Sequence, residues 1–383
     1  MKRVGIVTYY GENYGGMLQA YALQRYVKDL GYECKIISND FIYANNVPAD
    51  KKKLMVNKLK VFVKNPFKYL KRRHAMRSHL SERALKSAYF RDFLNKNIEI
   101  DHTGYSTYEQ YVENPPKYDV YLSGSDQIWN PNLYSKSGYY FSDFAPEGST
   151  RISFASSVGV STVTDEQAAF MKQYLDKMDV ISTRETDGSK IVSEITGKDV
   201  RTVIDPTLLL NGEQWSEIAS KPLIDKPYVF CYLFGERDYI SKVKEQVKKL
   251  TGLELVCIPY VAREMGGDDT KIFEAGPAEF VSLIKNAELV LTDSFHATAF
   301  SINLKTPFLS LCRFAKSDAK SMNSRLNTIL GLVGLEDRLI DESDKITKEM
   351  LFDIDFESAH SILDKKRAED SQFLFDSIEF ERE

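Results

Sequence analysis

The first 38 residues constrain this chain more than any other stretch. An apolar run at residues 2–8 leads into a Gly-rich loop, Tyr9-Tyr10-Gly11-Glu12-Asn13-Tyr14-Gly15-Gly16. Residues 17–30 then put Leu18, Ala22, Tyr26 and Leu30 on one helical face, with Gly31 as the expected stop. A second apolar run follows at 34–38. Strand, loop, helix, glycine and strand make a βαβ start, which demands parallel strands with a helix packed across them.

The same rhythm runs through the chain. Strands are expected at residues 118–123, 151–156, 179–183 and 200–204, with helices at 165–177 and 189–196. From Trp215 onward the pattern begins again. Strands are expected at 228–234, 253–259, 288–291 and 307–311. Helices are expected at 238–250, 276–286, 297–303 and 326–330, the last ending at Gly331. At 383 residues the chain is long for one core. The expectation is α/β, with two Rossmann-like doubly wound domains facing across a cleft. Residues 1–210 form the first, interrupted by a basic helical insertion at 50–97. Residues 211–340 form the second. Residues 341–383 are an acidic helical tail that packs back on the first domain.

Charge is distributed unevenly. The net charge of −4 gives no general affinity for nucleic acid. Residues 51–86 nevertheless hold thirteen Lys or Arg and one acid, whereas 341–383 hold fourteen acids and six bases. The basic segment is either a solvated helical hairpin docked on acidic parts of the chain or a face for an anionic partner, such as a phosphate-bearing lipid or glycan. Cys34, Cys231, Cys257 and Cys312 lie among apolar residues without a CxxC pair, which fits reduced thiols in the cytoplasm. No apolar run approaches a membrane span, and the start lacks the form of a signal peptide. The histidines show no metal-ligand spacing, so no metal is expected.

Four polar clusters fall where strands are expected to end, the position at which such sheets bind ligands. In the Gly-rich loop, glycines permit close backbone approach, and Asn13 and Tyr14 are candidates for contact with an acceptor. The loop lacks both the GxGxxG fingerprint and the Lys-Ser/Thr of a P-loop. Ser123–Pro131 packs hydroxyls, Asp126, Gln127 and Trp129 into nine residues. That mixture suits a sugar, whose hydroxyls pair with amides and acids and whose apolar face stacks on an indole. A capped turn with Trp129 in the core explains it too. Arg184-Glu185 and Asp205-Pro206 end two further strands, the arginine as an anion clamp or an ion-pair partner. Asp293, Ser294 and His296 form the fourth cluster. The histidine can exchange a proton near neutral pH, and Asp293 is a candidate to orient it. A G-x-S-x-G turn is missing, so a hydrolase triad is not expected. Arg263, Arg313 and Arg325 add positive charge to the second half.

Together the fragments at 8–32, 121–131 (YLSGSDQIWNP), 181–185 (ISTRE), 203–210 (VIDPTLLL) and 291–308 (LTDSFHATAFSINLKTPF) resemble the polysaccharide pyruvyl transferase family. The resemblance extends over residues 4–335. It implies a two-domain GT-B-like fold. It also implies transfer of a pyruvyl group from phosphoenolpyruvate, as co-substrate rather than resident cofactor, to a sugar of a cell-surface polysaccharide or its lipid-linked precursor. His296 matches the family histidine. Ser294 stands where the better-studied branch has an arginine, and a serine carries no charge to meet a carboxylate or phosphate. Arg263, Arg325 and Arg184 are the candidates to replace it, with Ser294 and Asp293 beside the donor. His296 is the expected acid or phosphate contact, and Asp126 the group that orients or deprotonates an acceptor hydroxyl. Asn13, Tyr14, Gln127 and Trp129 are the expected acceptor side. The implied location is cytoplasmic, peripheral at the inner membrane face through residues 51–86. Two other functions fit the same residues: a glycosyltransferase using a nucleotide sugar, and a non-catalytic glycan-binding or assembly protein.

Overall fold

The computed structural model describes residues 2–39, 41–42, 80–133, 137–235, 237–260, 268–314 and 323–381. Most of the basic insertion, residues 50–79, and Arg263 lie outside the described residues. The elements of the first half are β1 (Arg3–Val7), α1 (Tyr14–Asp29), β2 (Glu33–Ile37), α2 (Leu80–Asn97), β3 (Ile100–Asp101), α3 (Tyr108–Glu113), β4 (Val120–Ser123), β5 (Thr150–Ser153), α4 (Asp165–Leu175), β6 (Ser182–Thr183), α5 (Thr186–Thr196) and β7 (Arg201–Thr202). Two short helices, α6 (Pro206–Leu209) and α7 (Gly212–Ile218), lead into the second half. There follow β8 (Tyr228–Tyr232), α8 (Asp238–Thr251), β9 (Glu254–Cys257), β10 (Thr270–Lys271), α9 (Pro277–Lys285), β11 (Leu289–Thr292), α10 (Phe295–Asn303), β12 (Phe308–Leu311), α11 (Ser324–Val333), β13 (Leu339–Ile340), α12 (Lys348–Phe352) and α13 (Phe356–Ile378).

Both main sheets are parallel. The first has the order β3-β2-β1-β4-β5, and the second β10-β9-β8-β11-β12-β13. Bridges Ile152↔Val180 and Ser156↔Thr183 carry the first sheet on towards the β6–β7 pair. In each sheet the order reverses beside its first strand, between β1 and β4 and between β8 and β11. The central strands are short, mostly apolar runs buried on both faces. VYLS, YVFCY, LVLT and FLSL have no exposed position, the pattern of a sheet covered by helices on either side.

One large apolar cluster continues from the first half into the second. Tyr14 of α1 stacks on Phe280 of α9 with ring centroids 4.5 Å apart, and Trp215 meets Phe300 of α10 at 4.7 Å. The Asn303 side-chain amide donates to the carbonyls of Thr207 and Leu210, tying α10 to α6. The long helix α13 crosses the junction. Its Ser371 and the Glu379 that caps its end meet Tyr26 and Tyr32 of the first half, and its His360 meets the Ile302 carbonyl of the second. Among the described residues no helix is long and apolar enough to cross a membrane.

Helix ends follow local chemistry. Asn13 caps α1, its side chain accepting from the Gly16 amide at 2.9 Å. Gly331 does not end α11 as the sequence suggests. The helix continues to Val333, and Gly334, at φ 69°, closes it with its amide bonded to the Leu330 carbonyl. The left-handed position is what selects glycine there.

Candidate active site

The carboxyl ends of the two sheets bring the polar clusters to a common seam. From the first half come the loop after β4 with Ser125 and Asp126, Arg184 after β6, and Asp205, which caps α6. From the second half comes His296, in the first turn of α10. Ser294 caps that helix, its Oγ lying 3.5 Å from the Ala297 amide. The serine is therefore engaged as a cap. His296 is buried, and its ring packs against the first turn of α1. A Cβ on Gly15 would fall 1.9 Å from His296 Nδ1, so only glycine fits.

Arg184 organises this seam. Its side chain is fully buried, with Nη1 2.7 Å from Asp205 Oδ2, Nη2 3.1 Å from Asp126 Oδ1, and Nε 3.9 Å from Glu185 Oε2. Its guanidinium carbon also sits 4.5 Å from the Phe295 ring centroid. Nη1 lies 3.4 Å from His296 Nε2. Burial opposes the charge, but Asp205, Asp126 and Glu185 outweigh it and raise the arginine above its ordinary value. A cation so compensated has little charge left for a donor. Arg184 thus stands between the histidine and three carboxylates, its charge met from within the protein.

Asp205, not Asp293, is the carboxylate beside the histidine. Its Oδ2 lies 3.9 Å from His296 Nε2 and 2.9 Å from Ser125 Oγ, while Oδ1 accepts from the Thr207 amide and hydroxyl. Burial alone would raise its pKa, but Arg184 and then His296 pull it below the usual aspartate value. Asp293 turns the other way. It accepts from the Phe234 and Gly235 amides at 2.9 and 2.6 Å and pairs with Arg313 at 3.2 Å. It holds the ends of β8, β11 and β12 together at the switch point of the second sheet and does not orient His296.

Burial lowers the His296 pKa to about 4, against the pull of Asp205. The ring is neutral at neutral pH. Arg184 can only donate, so Nε2 is its acceptor and the proton belongs on Nδ1. Arg325 presents the opposite case. It is buried at 8% exposure, and its Nε has no hydrogen-bond partner. Among the described residues it forms no ion pair. Burial, with Arg184 and Arg313 nearby, lowers its pKa to about 10.

The expected acceptor residues divide. Asp126 is partly exposed at the seam, and Asn13 and Gln127 are half-buried at its edge, Gln127 accepting from the Asn130 amide. Trp129 is a core residue. It is 1% exposed, stacks on Phe141 at 5.4 Å, and donates its Nε1 hydrogen to the Tyr140 carbonyl. Tyr14 is buried likewise, donating to the Ala275 carbonyl and stacked on Phe280. Neither ring is open to a sugar. Sequence reasoning left Asp205, Ser125 and Gly15 off the list of site residues. The Asp-Pro at a strand end was the available signal for Asp205. Contacts 80 and 112 positions apart gave no signal in one sequence. Among the described residues no group of three or more His, Cys, Asp or Glu is placed to hold a metal ion.

A titratable cluster where parallel strands end and two sheets meet marks an α/β enzyme. The family model for polysaccharide pyruvyl transferase matches residues 13–311, and the chain belongs to that family, whose members are transferases acting on polysaccharides. No protein of curated function matches it. Among solved structures it is similar to the UDP-GlcNAc 2-epimerase of Methanocaldococcus jannaschii, at 13% identity over 95% of this chain and 94% of that one, with a TM-score of 0.47. It is also similar to a putative UDP-N-acetylglucosamine 2-epimerase from Listeria monocytogenes, at 12% identity over 97% and 90%, TM-score 0.45. A third is Acinetobacter baumannii MurG, at 11% identity over 99% of each chain, TM-score 0.44. Likeness of that size bears on neither substrate nor mechanism.

Proposed function

We propose that this protein transfers a pyruvyl group from phosphoenolpyruvate to a sugar of a cell-surface polysaccharide or its lipid-linked precursor. The observation that carries the reading is the span of one guanidinium. Arg184 lies 3.4 Å from His296 and 3.1 Å from Asp126, so a proton carrier and a carboxylate stand on either side of one fixed cation. Family membership supplies the reaction class.

The chemistry needs such a pair. Asp126 orients an acceptor hydroxyl and takes its proton as the oxygen bonds to C2 of the donor. The donor's methylene carbon gains a proton, delivered by His296. The C2–O bond to phosphate breaks, and the second sugar hydroxyl closes the ketal. Of the two hydroxyl protons, one ends on the new methyl group and one on the departing phosphate. His296 must be protonated for its step. An anion bound beside Arg325 favours that form, countering the burial that holds the free histidine neutral. Arg325, in the second half, is the donor's cation. Arg263 stays a donor candidate by sequence alone. The two parallel sheets act as doubly wound, GT-B-like halves, and the basic charge of residues 51–86 attracts the anionic lipid surface that carries the acceptor.

A second reading, glycosyl transfer from a nucleotide sugar, is favoured by one observation: Ser294, at the family arginine position, is a neutral helix cap. Transfer assays with phosphoenolpyruvate and with nucleotide sugars on an isolated acceptor glycan separate the two. His296→Gln is expected to lower kcat with phosphoenolpyruvate by about 10²-fold or more. Unchanged turnover would overturn the role of His296, and turnover with a nucleotide sugar alone would overturn the donor.

A further inference from the structure

We propose that the N-terminus of α11, with Ser324 and Arg325, is the seat of the donor's phosphoryl group. The assignment rests on the reading that an anionic donor enters this seam, and it adds which group of the donor goes where.

Among the described residues, five buried side-chain atoms lack a hydrogen-bond partner: Asn39 Oδ1, Arg184 Nε, Glu185 Oε2, Ser324 Oγ and Arg325 Nε. Four of them belong to two adjacent residue pairs, one at the end of β6 and one in the first turn of α11. Buried polar atoms are paired as a rule, so a cluster of orphans in one place marks a missing partner. At α11 both orphans have a hydrogen to donate. The partner they lack is an acceptor.

The helix end is made for one. The N-cap residue Asn323 forms no side-chain cap, because its amide is spent on the Phe314 backbone. The amides of Ser324 and Arg325 donate to no acceptor among the described residues. Two free amides, one hydroxyl and one guanidinium therefore open a helix whose dipole favours negative charge at this end. Arg325 itself is more than nine-tenths buried and pairs with no carboxylate among the described residues, whereas its neighbours Arg184 and Arg313 are each paired. Three guanidiniums gathered this closely repel one another, and Arg325 bears the strain of it together with burial. A phosphoryl group has enough acceptor oxygens for amides, hydroxyl and guanidinium together. A carboxylate, with two oxygens, satisfies fewer.

The seat is tested with inorganic phosphate as the calorimetric probe, followed by displacement with phosphoenolpyruvate, pyruvate and uridine diphosphate. The wild type is expected to bind phosphate, Arg325→Gln to bind it at least about tenfold more weakly, and Arg325→Lys to fall between them. Arg25→Gln, which removes an arginine paired with Asp29 at the end of α1 away from the seam, is expected to keep the wild-type affinity. Phosphoenolpyruvate displaces the phosphate and pyruvate does not. Removing an unpaired buried charge does not destabilise a fold, so Arg325→Gln is expected to melt at or above the wild-type temperature. Equal phosphate affinity in wild type and Arg325→Gln, displacement by pyruvate, or a lower melting temperature in Arg325→Gln would each overturn the seat. Displacement by uridine diphosphate and not by phosphoenolpyruvate keeps the seat and overturns the pyruvyl reading. Phosphoenolpyruvate-dependent transfer with unchanged KM in Arg325→Gln does the reverse.

Discussion

At the scale of single residues, His296 is decided by a contest between burial and Asp205. A carboxylate 3.9 Å away favours the imidazolium, but desolvation and the adjacent Arg184 prevail, and the pKa falls to about 4 from 6.5. The sign of the consequence is fixed. Between pH 6.5 and 4 the unfolded chain binds a proton at this position that the native state refuses. Stability from this group is complete above pH 6.5 and is lost as pH falls towards 4. In His296→Gln the dependence of unfolding free energy on pH across that window should be shallower by up to about one proton, or ~1.4 kcal/mol per pH unit. Urea melts of both proteins from pH 4 to 7 measure it. Identical slopes would mean that native His296 is already charged. The acid Asp370 runs the other way, raised by burial despite Lys366, the Ile204 amide and Arg201. In both residues burial sets the direction, and the counter-charge only limits it.

At the scale of elements, the two glycines of α11 show how far local signals reach. Gly331 lies within the helix and is exposed, and a Cβ there would meet only Glu336 Oε1 at 3.6 Å. Gly334 is left-handed, at φ 69°. Gly331→Ala should stabilise by up to ~1 kcal/mol through helix propensity, while Gly334→Ala should destabilise by about 1 kcal/mol. Denaturant midpoints of the two variants decide it, and equal shifts would undo the helix end described here. The sequence pointed to Gly331 as the stop and passed over Gly334, because the choice depends on which backbone angle the following loop requires. The strands were easier to read. Runs such as YVFCY and LVLT are short and almost wholly apolar, and their length suits strands buried on both faces better than helices. The clusters at strand ends were legible as clusters, but their internal pairing was not. Asp293, three residues from His296, serves Arg313, while Asp205, ninety-one positions away, serves the histidine. Trp129 and Tyr14 show the same limit. An aromatic residue amid polar neighbours reads as a sugar platform until packing turns its ring inward.

At the scale of the molecule, the two sheets share a core. Tyr14 on Phe280 and Tyr21 on Trp215 are buried ring contacts across the junction, and α13 fastens both halves from outside. Separate halves would each have to expose those faces, at a cost of about 25 cal/mol for every Å² of apolar area. Chains of this length often unfold in stages, but a continuous core couples the halves, and calorimetry should give a single transition. Asp370 tests the fastening directly. It accepts from the Ile204 amide at 2.8 Å and pairs with Lys366 at 2.9 Å and Arg201 at 3.3 Å. Asp370→Ala strands a buried amide and leaves Lys366 and Arg201 only the more exposed Glu369, so it should destabilise by roughly 2 kcal/mol. The loss belongs to the whole molecule if the halves are coupled, and the single transition then moves to lower temperature without splitting. Two resolved transitions, in the wild type or in Asp370→Ala, would mean that α13 secures one half alone. The seam holding His296 would then be a contact between independent bodies. A single displaced transition ties the geometry of Arg184, Asp205 and His296 to the stability of the entire fold, because the histidine and its partners come from opposite sides of the core that melts.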